Sequence, residues 1–248
     1  MTVKRKPRPA QRPPAGKLAR VLKKTGSFYY HCDWHASHYV KVMLDQIMGE
    51  NNFQNEIIWK RTTAHSDAKQ GSVHFGRIHD TVFYFTGGGK VTWNQLYRPF
   101  DQKYLEDFFD TDPKTGRRYQ LYDITGPGGA AKGNPHYEFL GVKRFWRFSK
   151  SRMQELYKEG RIIQTRPGTV PREKRYLDEL KGVPVGSVWE DIPPIGARST
   201  ERLGYPTQKP LALLERIVNA SSNPNDIVLD GFCGCGTALV AAQNLGRQ

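Results

Sequence analysis

A short apolar run that leads into a glycine loop is the feature that most constrains the fold of this chain of 248 residues. The run at residues 227–230, IVLD, has the composition of a buried strand and ends in an acid. The loop after it contains Gly234 and Gly236, and an alanine-rich helical pattern begins beside Gly236. Glycine allows a sharp turn and lets a ligand approach where no Cβ intervenes. A strand, a glycine loop and a helix in this order predict a cofactor-binding site.

Two classes of cofactor use such a loop. A dinucleotide-binding loop has the pattern Gly-x-Gly-x-x-Gly, but the third glycine position counted from Gly234 is Leu239. This disfavours a nucleotide-dependent oxidoreductase. S-adenosylmethionine carries an ammonium, which Asp230 can bind, and a carboxylate, which exposed N–H groups near Thr237 can bind. The residues favour S-adenosylmethionine, although a Gly-x-Gly loop after a strand also occurs without a ligand.

The charge balance predicts a polyanionic partner. The chain has 38 Lys+Arg against 24 Asp+Glu and a formal net charge of +14. This favours nucleic acid, although ribosome-associated and membrane-surface proteins share the property. The three cysteines, Cys32, Cys233 and Cys235, form an odd set in a chain without a secretory signal. No apolar segment approaches the roughly 20 residues of a membrane-spanning helix. We therefore expect a cytoplasmic protein with no membrane partner.

Hydrophobic periodicity separates two regular parts from a loop-rich middle. Strands are predicted at residues 26–33, 55–61, 80–86 and 226–230, and helices at residues 37–49, 149–160, 209–222 and from Gly236 onward. The middle, from about 87 to 184, is rich in Gly and Pro turns, which is typical of an insert. Residues 1–19 are basic, Pro-rich and poor in apolar side chains, so we expect an unstructured tail. The whole pattern predicts an α/β protein.

The segment at residues 201–237 resembles the cofactor half of bacterial amino-group DNA methyltransferases, which modify adenine N6 or cytosine N4. In that family Thr-Gln-Lys-Pro opens a helix, a polar turn follows, and a strand runs into Asp-x-Phe-x-Gly-x-Gly-Thr. The matching positions are Thr207, Gln208, Lys209, Pro210, Asp230, Phe232, Gly234, Gly236 and Thr237. Gly231 stands where the family often has proline. The resemblance implies that the matching residues bind S-adenosylmethionine, and it extends upstream to about Leu18.

The resemblance also implies an organisation for the chain. The implied fold is the Rossmann-like sheet of S-adenosylmethionine-dependent methyltransferases, incomplete here, with a loop-rich target-recognition insert. The implied parts are a basic, Pro-rich disordered tail at 1–19, a partial catalytic half at 20–86, the target-recognition insert at 87–184 and the cofactor-binding half at 185–248. Double-stranded DNA is the implied partner. Basic and aromatic residues in the insert are the candidate DNA contacts, namely Lys143, Arg144, Trp146 and Arg147.

The catalytic motif of the family, Asp/Asn/Ser-Pro-Pro-aromatic, is not found in the sequence. In the family, its polar side chain accepts a hydrogen bond from the exocyclic amine of a flipped base, and its aromatic ring stacks on that base. In DIPPI, an isoleucine separates Asp191 from the prolines and no aromatic residue follows. In NPHY, Asn134 and Tyr137 match, but His136 replaces the second proline. The catalytic residues are therefore unknown, with Asn134 and Tyr137 as a weak match.

The resemblance predicts an activity and an incomplete chain. The family continues, past the position of Gln248, into a second strand whose terminal acid binds the ribose hydroxyls. We therefore expect a chain truncated at both ends, or one that a complementing methyltransferase chain or a restriction subunit accompanies. The predicted activity is direct methyl transfer to an exocyclic amine in DNA, at adenine N6 in preference to cytosine N4. The alternative is a non-catalytic DNA-binding or regulatory subunit derived from such an enzyme.

The remaining candidate residues are weaker. Cys233 and Cys235, taken with Cys32 and His31, do not have the spacing of a zinc site, so no metal is expected. Asp33 ends a predicted strand and either lines the cofactor pocket or caps the helix that follows. The histidines in polar stretches are expected on a solvated surface, namely His65, His74 and His79.

Overall fold

The structure is a computed structural model that describes residues 13–62 and 73–248. The helices in these ranges are α1 (Pro13–Val21), α2 (Ser37–Met48), α3 (Gln102–Phe108), α4 (Lys150–Lys158), α5 (Leu211–Ser221) and α6 (Thr237–Asn244). The strands are β1 (Ser27–Asp33), β2 (Phe53–Lys60), β3 (His79–Thr86), β4 (Tyr97–Arg98), β5 (Asp110–Thr111), β6 (Arg118–Asp123), β7 (His136–Phe139), β8 (Val142–Phe145), β9 (Ile162–Ile163), β10 (Arg172–Tyr176), β11 (Val183–Pro184) and β12 (Val188–Trp189). Short 3-10 helices occupy Glu50–Asn52, Gly129–Lys132 and Leu177–Glu179. The prediction of a mixed α/β protein is confirmed.

These elements form two compact units. The first contains the described residues of Met1–Leu96 and Val185–Gln248, and the second contains Tyr97–Pro184. The chain therefore enters the second unit after Leu96 and returns to the first at Val185. The functional roles that the sequence assigns to the tail, the two halves and the insert stay predictions.

The first unit is built on a four-stranded sheet with the order β1-β3-β2-β12. Strand β3 runs antiparallel to both β1 and β2, and β12 runs parallel to β2. Because β1 and β2 therefore point the same way, they both end at one edge of the sheet, at Asp33 and Lys60, where β3 begins with His79. The register places Asp80 opposite both Asp33 and Trp59. This edge positions the charged part of the candidate site.

Alternating side chains bury both faces of the first-unit sheet. Phe83 and Phe85 face one side, where they pack in a cluster with Leu44 of α2 and with residues of α1. Tyr84 faces the other side and lies in a cluster with Leu213 of α5. Helices therefore cover both faces, which gives this unit three layers.

Helix α1 corrects part of the predicted tail. Residues 13–19 belong to this helix, although the sequence predicts an unstructured tail through residue 19. Ala15 is buried and Leu18 packs against the cluster that contains Leu44. Packing against distant residues thus stabilises a helix that the local sequence does not indicate. The rest of the predicted tail, residues 1–12, lies outside the described residues.

The apolar run at residues 226–230 does not form the predicted strand. Two backbone hydrogen bonds join it to Gln248, from the N–H of Val228 to the carbonyl of Gln248 at 2.7 Å and from the N–H of Gln248 to the carbonyl of Asp226 at 2.9 Å. Ile227 and Leu229 are 71% and 63% exposed. Apolar composition is not sufficient for a strand, because a strand also needs a hydrogen-bonded neighbour along its length.

The second unit has a core of its own. Its largest sheet has the order β5-β6-β10-β9 and is antiparallel throughout. Strands β7 and β8 form a hairpin, and β4 pairs with β11. Helix α4, which the sequence predicts, buries Met153 and Leu156 in one cluster with Ile124 and Trp146. This cluster accounts for several of the most buried side chains of the unit.

Candidate functional site

A buried carboxylate lies at the edge of the first-unit sheet where β1 and β2 end. Asp80, near the start of β3, is 8% exposed. Its Oδ2 accepts a hydrogen bond of 3.0 Å from Nε2 of His31 on β1. Its Oδ1 lies 2.7 Å from Nε of Arg61, the residue that follows β2. The contact with Arg61 is an ion pair without the alignment of a hydrogen bond, and both of its atoms are buried.

The groups around Asp80 keep its carboxylate ionised. Burial raises the pKa of this carboxyl group, but the hydrogen bond from His31 and the positive charges of Arg61 and Lys209 outweigh burial and hold the pKa below its ordinary value. The ring of His31 also meets the ring of Trp59 edge-on, with 5.9 Å between the centroids. Asp80 is therefore a fixed negative charge at neutral pH, and its partner imidazole is held in place.

We call the group formed by Asp80, His31 and Arg61 the charged edge. Lys209 of the Thr-Gln-Lys-Pro segment interacts electrostatically with it. Its ammonium donates a hydrogen bond of 2.8 Å to the carbonyl of Thr207. Burial lowers the pKa of Lys209, the negative charge of Asp80 opposes that effect, and the positive charge of Arg61 adds to it, so the pKa lies below its ordinary value. Cys235 of the glycine loop also interacts electrostatically with Lys209. Lys209 therefore interacts both with the charged edge and with the glycine loop.

Gln208 supports the chain segment that leads into α5. Its Nε2 donates to the carbonyl of Glu201 at 2.6 Å, and its Oε1 accepts from the N–H of Leu203 at 2.8 Å. The carboxylate of Glu201 in turn accepts a hydrogen bond from the N–H of Leu211, the first residue of α5. Pro210 precedes this helix directly. Gln208 and Pro210 therefore shape the backbone on which Lys209 lies.

The glycine loop is shaped by short-range hydrogen bonds. Oδ1 of Asp230 accepts a hydrogen bond of 2.9 Å from the N–H of Phe232. The N–H of Gly236 donates to the carbonyl of Cys233 at 2.7 Å. Gly234 and Gly236 have φ angles of 53° and 84°, in the left-handed region that favours glycine. A Cβ on Gly236 would meet nothing within 4 Å, so the backbone there is open to a ligand.

The first turn of α6 offers backbone donors beside this loop. The residue before the helix, Gly236, has no side chain that could bond the first N–H groups. These groups are therefore suited to an anionic or strongly accepting ligand. Ala238 and Ala241 are buried and anchor the helix, and the hydroxyl oxygen of Thr237 lies 3.3 Å from Sγ of Cys235.

The residues of this loop fit the chemistry of S-adenosylmethionine. Asp230 supplies an acceptor for an ammonium, and the start of α6 supplies donors for a carboxylate. The open backbone at Gly236 leaves space for an approaching ligand. Phe232 is 63% exposed and supplies an aromatic surface at the same loop. Cofactor binding by these residues stays a prediction.

Sequence reasoning did not find Asp80 and Arg61, and it considered His31 only as a metal ligand. A partial signal existed, since each of these residues lies in or next to a predicted strand. Which strand ends meet is decided by the register of the sheet, which the sequence does not show. Asp33 shares this edge, and its Oδ1 accepts a hydrogen bond of 3.2 Å from the N–H of Ala36 in the turn before α2, whose start has no side-chain cap.

The near matches of the catalytic motif have structural partners. The amide of Asn134 donates to a backbone carbonyl at 3.1 Å, and the hydroxyl of Tyr137 donates to another at 2.9 Å. Asp191 forms a bidentate ion pair with Arg216, with distances of 2.9 and 2.6 Å. These contacts favour structural roles for all three predicted candidates.

The predicted DNA contacts divide into exposed and buried residues. Lys143 and Arg144 are exposed on β8, and Arg147 is exposed after it, where its Nε donates to a backbone carbonyl at 3.0 Å. Trp146 is 0% exposed, and its indole N–H donates to the carbonyl of Tyr137 at 2.9 Å. A fully buried ring cannot stack on a DNA base, so the prediction for Trp146 is wrong. Its role is in the core of the second unit.

The described part of the chain contains neither a candidate metal site nor a candidate membrane-spanning helix. All three cysteines are free, and burial raises the pKa of Cys32 to about 12. Within residues 13–62 and 73–248, no group of three His, Cys, Asp or Glu side chains could hold a metal ion. None of the described helices is long and apolar enough to cross a membrane. His74 is exposed and His79 half-buried, whereas His65 lies outside the described residues.

Comparison with known proteins gives a family match and several relatives. The family model N6_N4_Mtase, described as DNA methylase, matches residues 11–248. The type II methyltransferase M.EcaI of Enterobacter cloacae is 29% identical over 235 residues, which cover 93% of this chain and 51% of that relative. The type III restriction-modification enzyme StyLTI Mod subunit of Salmonella typhimurium strain LT2 is 25% identical over 244 residues, which cover 93% of this chain and 37% of that relative.

A shorter match has higher identity. The DNA adenine methyltransferase YhdJ of Escherichia coli strain K12 is 51% identical over 63 residues, which cover 25% of this chain and 21% of that relative. The chain spans about half the length of M.EcaI and smaller shares of the other two relatives.

Proposed function

This chain belongs to the N6/N4 DNA methylase family, and we propose from this premise that it binds S-adenosylmethionine and contributes to methyl transfer to an exocyclic amine in double-stranded DNA. The observation that carries the proposal is the glycine loop. An acid, an open glycine backbone and an uncapped helix start follow one another there in the order of the family's cofactor motif.

The methyltransferase family uses S-adenosylmethionine, which supplies an electrophilic methyl group when it is bound. In this chain, the carboxylate of Asp230 would hold the ammonium of the cofactor, and the N–H groups at the start of α6 would hold its carboxylate. The exposed ring of Phe232 would offer an apolar surface to the cofactor. The residues that bind or shape this site are Thr207, Gln208, Lys209, Pro210, Asp230, Phe232, Gly234, Gly236 and Thr237.

The proposed acceptor is a base in double-stranded DNA, at adenine N6 in preference to cytosine N4. The name of YhdJ, a DNA adenine methyltransferase that shares 51% identity with part of this chain, supports the preference for adenine. The amine nitrogen is itself the nucleophile, so no cysteine is required.

Residues 87–184 are proposed to recognise the DNA target. Lys143, Arg144 and Arg147 are exposed cations in this segment, and such side chains bind phosphate oxygens and position a protein on the duplex. The formal net charge of +14 supports association with a polyanion. A reducing cytoplasm is the proposed location, which suits a chain whose cysteines are free.

A second candidate function is a non-catalytic DNA-binding or regulatory subunit. The observation that favours it is the structural use of Asn134 and Tyr137, the weak match to the catalytic motif. In that case a complementing methyltransferase chain or a restriction subunit is the partner. The name of the StyLTI Mod subunit, which belongs to a restriction-modification enzyme, supports a partner of this kind.

Transfer of labelled methyl groups to duplex DNA distinguishes the two candidates. The chain is incubated with DNA and labelled S-adenosylmethionine, and the DNA is digested to nucleosides so that labelled N6-methyladenine and N4-methylcytosine are separated. Labelled N6-methyladenine supports the leading proposal, and labelled N4-methylcytosine would reverse the preferred base. Binding of DNA and cofactor without transfer supports an incomplete enzyme that needs a complementing chain, and binding of DNA without the cofactor supports the second candidate. A chain that binds neither ligand would contradict both.

A further inference from the structure

We infer that the first unit contains a second ligand site, a cavity lined by aromatic rings, that takes a neutral, planar nitrogen heterocycle of the size of a nucleobase. The cavity has a volume of about 180 Å³ and is lined by residues of β1, β2 and β3, by the segments after β3 and around β12, and by α5. We call it the distal cavity. This inference goes beyond the proposed function, which assigns no ligand to this place.

The distal cavity lies away from the charged edge. Tyr29 is near the start of β1, Asn55 is near the start of β2, and the register pairs both with Tyr84. Tyr84 follows Asp80 by four residues on β3, which corresponds to about 13 Å along an extended strand. Of the described residues that line the cavity, none belongs to the charged edge, the Thr-Gln-Lys-Pro segment or the glycine loop. A ligand there would therefore not occupy the proposed cofactor site.

Parallel aromatic rings form one wall of the distal cavity. The rings of Tyr29 and Tyr84 stack with centroids 4.6 Å apart and planes at 4°, and those of Tyr84 and Trp93 stack at 5.7 Å and 17°. Tyr84 is 4% exposed and is fixed in the core, whereas Trp93 is 50% exposed and keeps ring surface for a ligand. A planar ring that stacks on such a surface gains dispersion and buried apolar area. This wall favours a planar aromatic ligand.

Polar side chains line the distal cavity beside the rings. Asn55, Gln95 and Ser187 are exposed, so their polar groups are open to a ligand. Nε2 of Gln95 donates to the carbonyl of Leu96 at 3.0 Å, which orients this amide. Side-chain amides offer a donor and an acceptor together, and the edge of a nucleobase presents the complementary pair. A hydrocarbon ring would leave these groups without partners, so the lining favours a nitrogen heterocycle.

The charge and the size of the distal cavity narrow the ligand further. Among the described residues that line it, the charged side chain is Arg216. Its guanidinium forms a bidentate ion pair with Asp191 at 2.9 and 2.6 Å and lies 5.1 Å from the centroid of the Trp189 ring. This positive charge is already balanced, so the lining favours a neutral ligand. Since a cavity of about 150 Å³ holds one benzene molecule, the distal cavity suits a single planar ring system.

Binding of adenine to the full chain tests the inference. Adenine is a neutral heterocycle with donors and acceptors, and its Kd is measured by ligand-observed NMR with S-adenosylmethionine present in excess. A Kd of about 1 mM or tighter is expected for a ligand of about ten non-hydrogen atoms. The variants are Trp93→Ala, Trp93→Phe and Asn55→Ala. The matched controls are Trp34→Ala, at a ring that is 39% exposed, and Asn51→Ala, at an exposed amide; neither residue lines the cavity.

The variants should differ in a defined order. Trp93→Ala should bind adenine about tenfold more weakly, as expected for a lost base–aromatic stack, and Trp93→Phe should recover most of the affinity. Asn55→Ala should weaken adenine binding about fivefold through a lost hydrogen bond and should leave the binding of indole, which has no ring-nitrogen acceptor, unchanged. Both control variants should bind adenine as the unchanged chain does. Thermal unfolding establishes that each variant is folded.

A free heterocycle and an unpaired base of a nucleic acid share this chemistry, and a short single-stranded oligodeoxyadenylate separates the two sources. Equal losses for adenine and for the oligonucleotide in Trp93→Ala assign the cavity to a base of a nucleic acid. A loss for adenine alone assigns it to a free heterocycle.

Three results would overturn the inference: no adenine binding by the unchanged chain, complete displacement of adenine by S-adenosylmethionine, or losses in folded Trp93→Ala no larger than those in Trp34→Ala. Equal effects of Asn55→Ala on adenine and indole would overturn the choice of a nitrogen heterocycle. The proposed function fails separately. If the chain does not bind S-adenosylmethionine but its adenine binding depends on Trp93, the proposed function falls and the distal cavity stands.

Discussion

Asp80 is the residue that connects the ends of the strands with the start of α5. One of its carboxylate oxygens bonds to His31, the other pairs with Arg61, and its charge stabilises the ammonium of Lys209. Each of these groups is at least partly buried, so the loss of one charge leaves the others poorly solvated. Stability and site geometry therefore depend on the same carboxylate.

Replacing Asp80 by asparagine should destabilise the first unit. The change removes the negative charge that offsets Arg61 and Lys209 in a partly buried place, and we expect a loss of about 1–3 kcal/mol in the free energy of unfolding. Glu190→Gln is the control, because it breaks a surface pair with Lys60 in which the two side chains are 62% and 42% exposed, and such pairs contribute only about 0.5 kcal/mol. Urea unfolding followed by tryptophan fluorescence measures both. Equal effects of the two variants would contradict this role of Asp80.

Asp112 should make the stability of the second unit depend on pH in the acidic range. Its buried carboxylate accepts hydrogen bonds from Nζ of Lys174 at 2.9 Å and from the hydroxyl of Tyr176 at 2.7 Å. These bonds, that of Lys174 first, hold the pKa of Asp112 well below its ordinary value. The folded state therefore binds this proton less tightly than the unfolded state. The stabilisation that ionised Asp112 gives to the folded state is fully present above the ordinary aspartate pKa of about 4. It is lost as the pH falls toward the lower pKa that Asp112 has in the folded state.

The comparison of the unchanged chain with Asp112→Asn measures this effect. Near pH 7 the variant should unfold at a lower urea concentration, because the charged hydrogen bonds are missing. Below about pH 4 the difference between the two proteins should shrink. A difference that stays constant over this range would show that Asp112 does not titrate as described.

At the scale of the element, α5 joins the core to the site. Leu213 on its inner face is 2% exposed and packs with residues of the sheet, and Lys209 lies just before its first turn. The sequence predicts this helix well, because apolar residues recur at helical spacing and a proline precedes it. The strands β1, β2 and β3 are also predicted, since aromatic and β-branched residues are dense in each.

Other elements depend on contacts between residues that are distant in sequence, and a local sequence pattern cannot reveal such contacts. Helix α1 exists because Leu18 meets a cluster formed by distant residues. The run at residues 226–230 has the composition of a strand, yet Ile227 and Leu229 are exposed. The meeting of Asp80 with His31 and Arg61 depends on the register of three strands. The glycine loop could be predicted because its residues are adjacent in sequence, whereas the charged edge could not.

Leu213→Ala should weaken the packing of α5 on the sheet. A leucine that is 2% exposed loses its buried contacts, and such a change typically costs about 2–5 kcal/mol. Leu203→Ala is the matched control, because Leu203 is 70% exposed and its truncation should change stability by about 0.5 kcal/mol or less. Thermal and urea unfolding compare the two variants. A small effect at Leu213 would contradict the packing described for this face.

At the scale of the whole molecule, the two proposed functions, cofactor binding and DNA recognition, are assigned to different compact units. The first contains the glycine loop and the charged edge, and the second contains the exposed cations Lys143, Arg144 and Arg147. The sequence assigns cofactor binding to one part and DNA recognition to the other. Trp146 shows how such an assignment errs when burial is unknown, since its basic neighbours are exposed and the ring itself is in the core.

DNA binding should depend on salt through the exposed cations. The affinity of the chain for duplex DNA is measured over a range of salt concentrations, and each lost phosphate contact should reduce the slope of log K against log salt by about one. We expect this for Lys143→Ala and for Arg144→Ala. Lys90→Ala, an exposed lysine of the first unit with the same change in net charge, is the control. Equal slopes for all three variants would show that only net charge matters.

The central claim is that the glycine loop binds S-adenosylmethionine, and calorimetric titration of the cofactor tests it most directly. We predict measurable binding by the unchanged chain and a loss of about tenfold or more in Asp230→Ala, since a charge-assisted contact to the cofactor ammonium disappears. Asp107→Ala, at an exposed carboxylate of the second unit, should bind as the unchanged chain does. Absence of binding by the unchanged chain, or equal affinity of folded Asp230→Ala, would contradict the account.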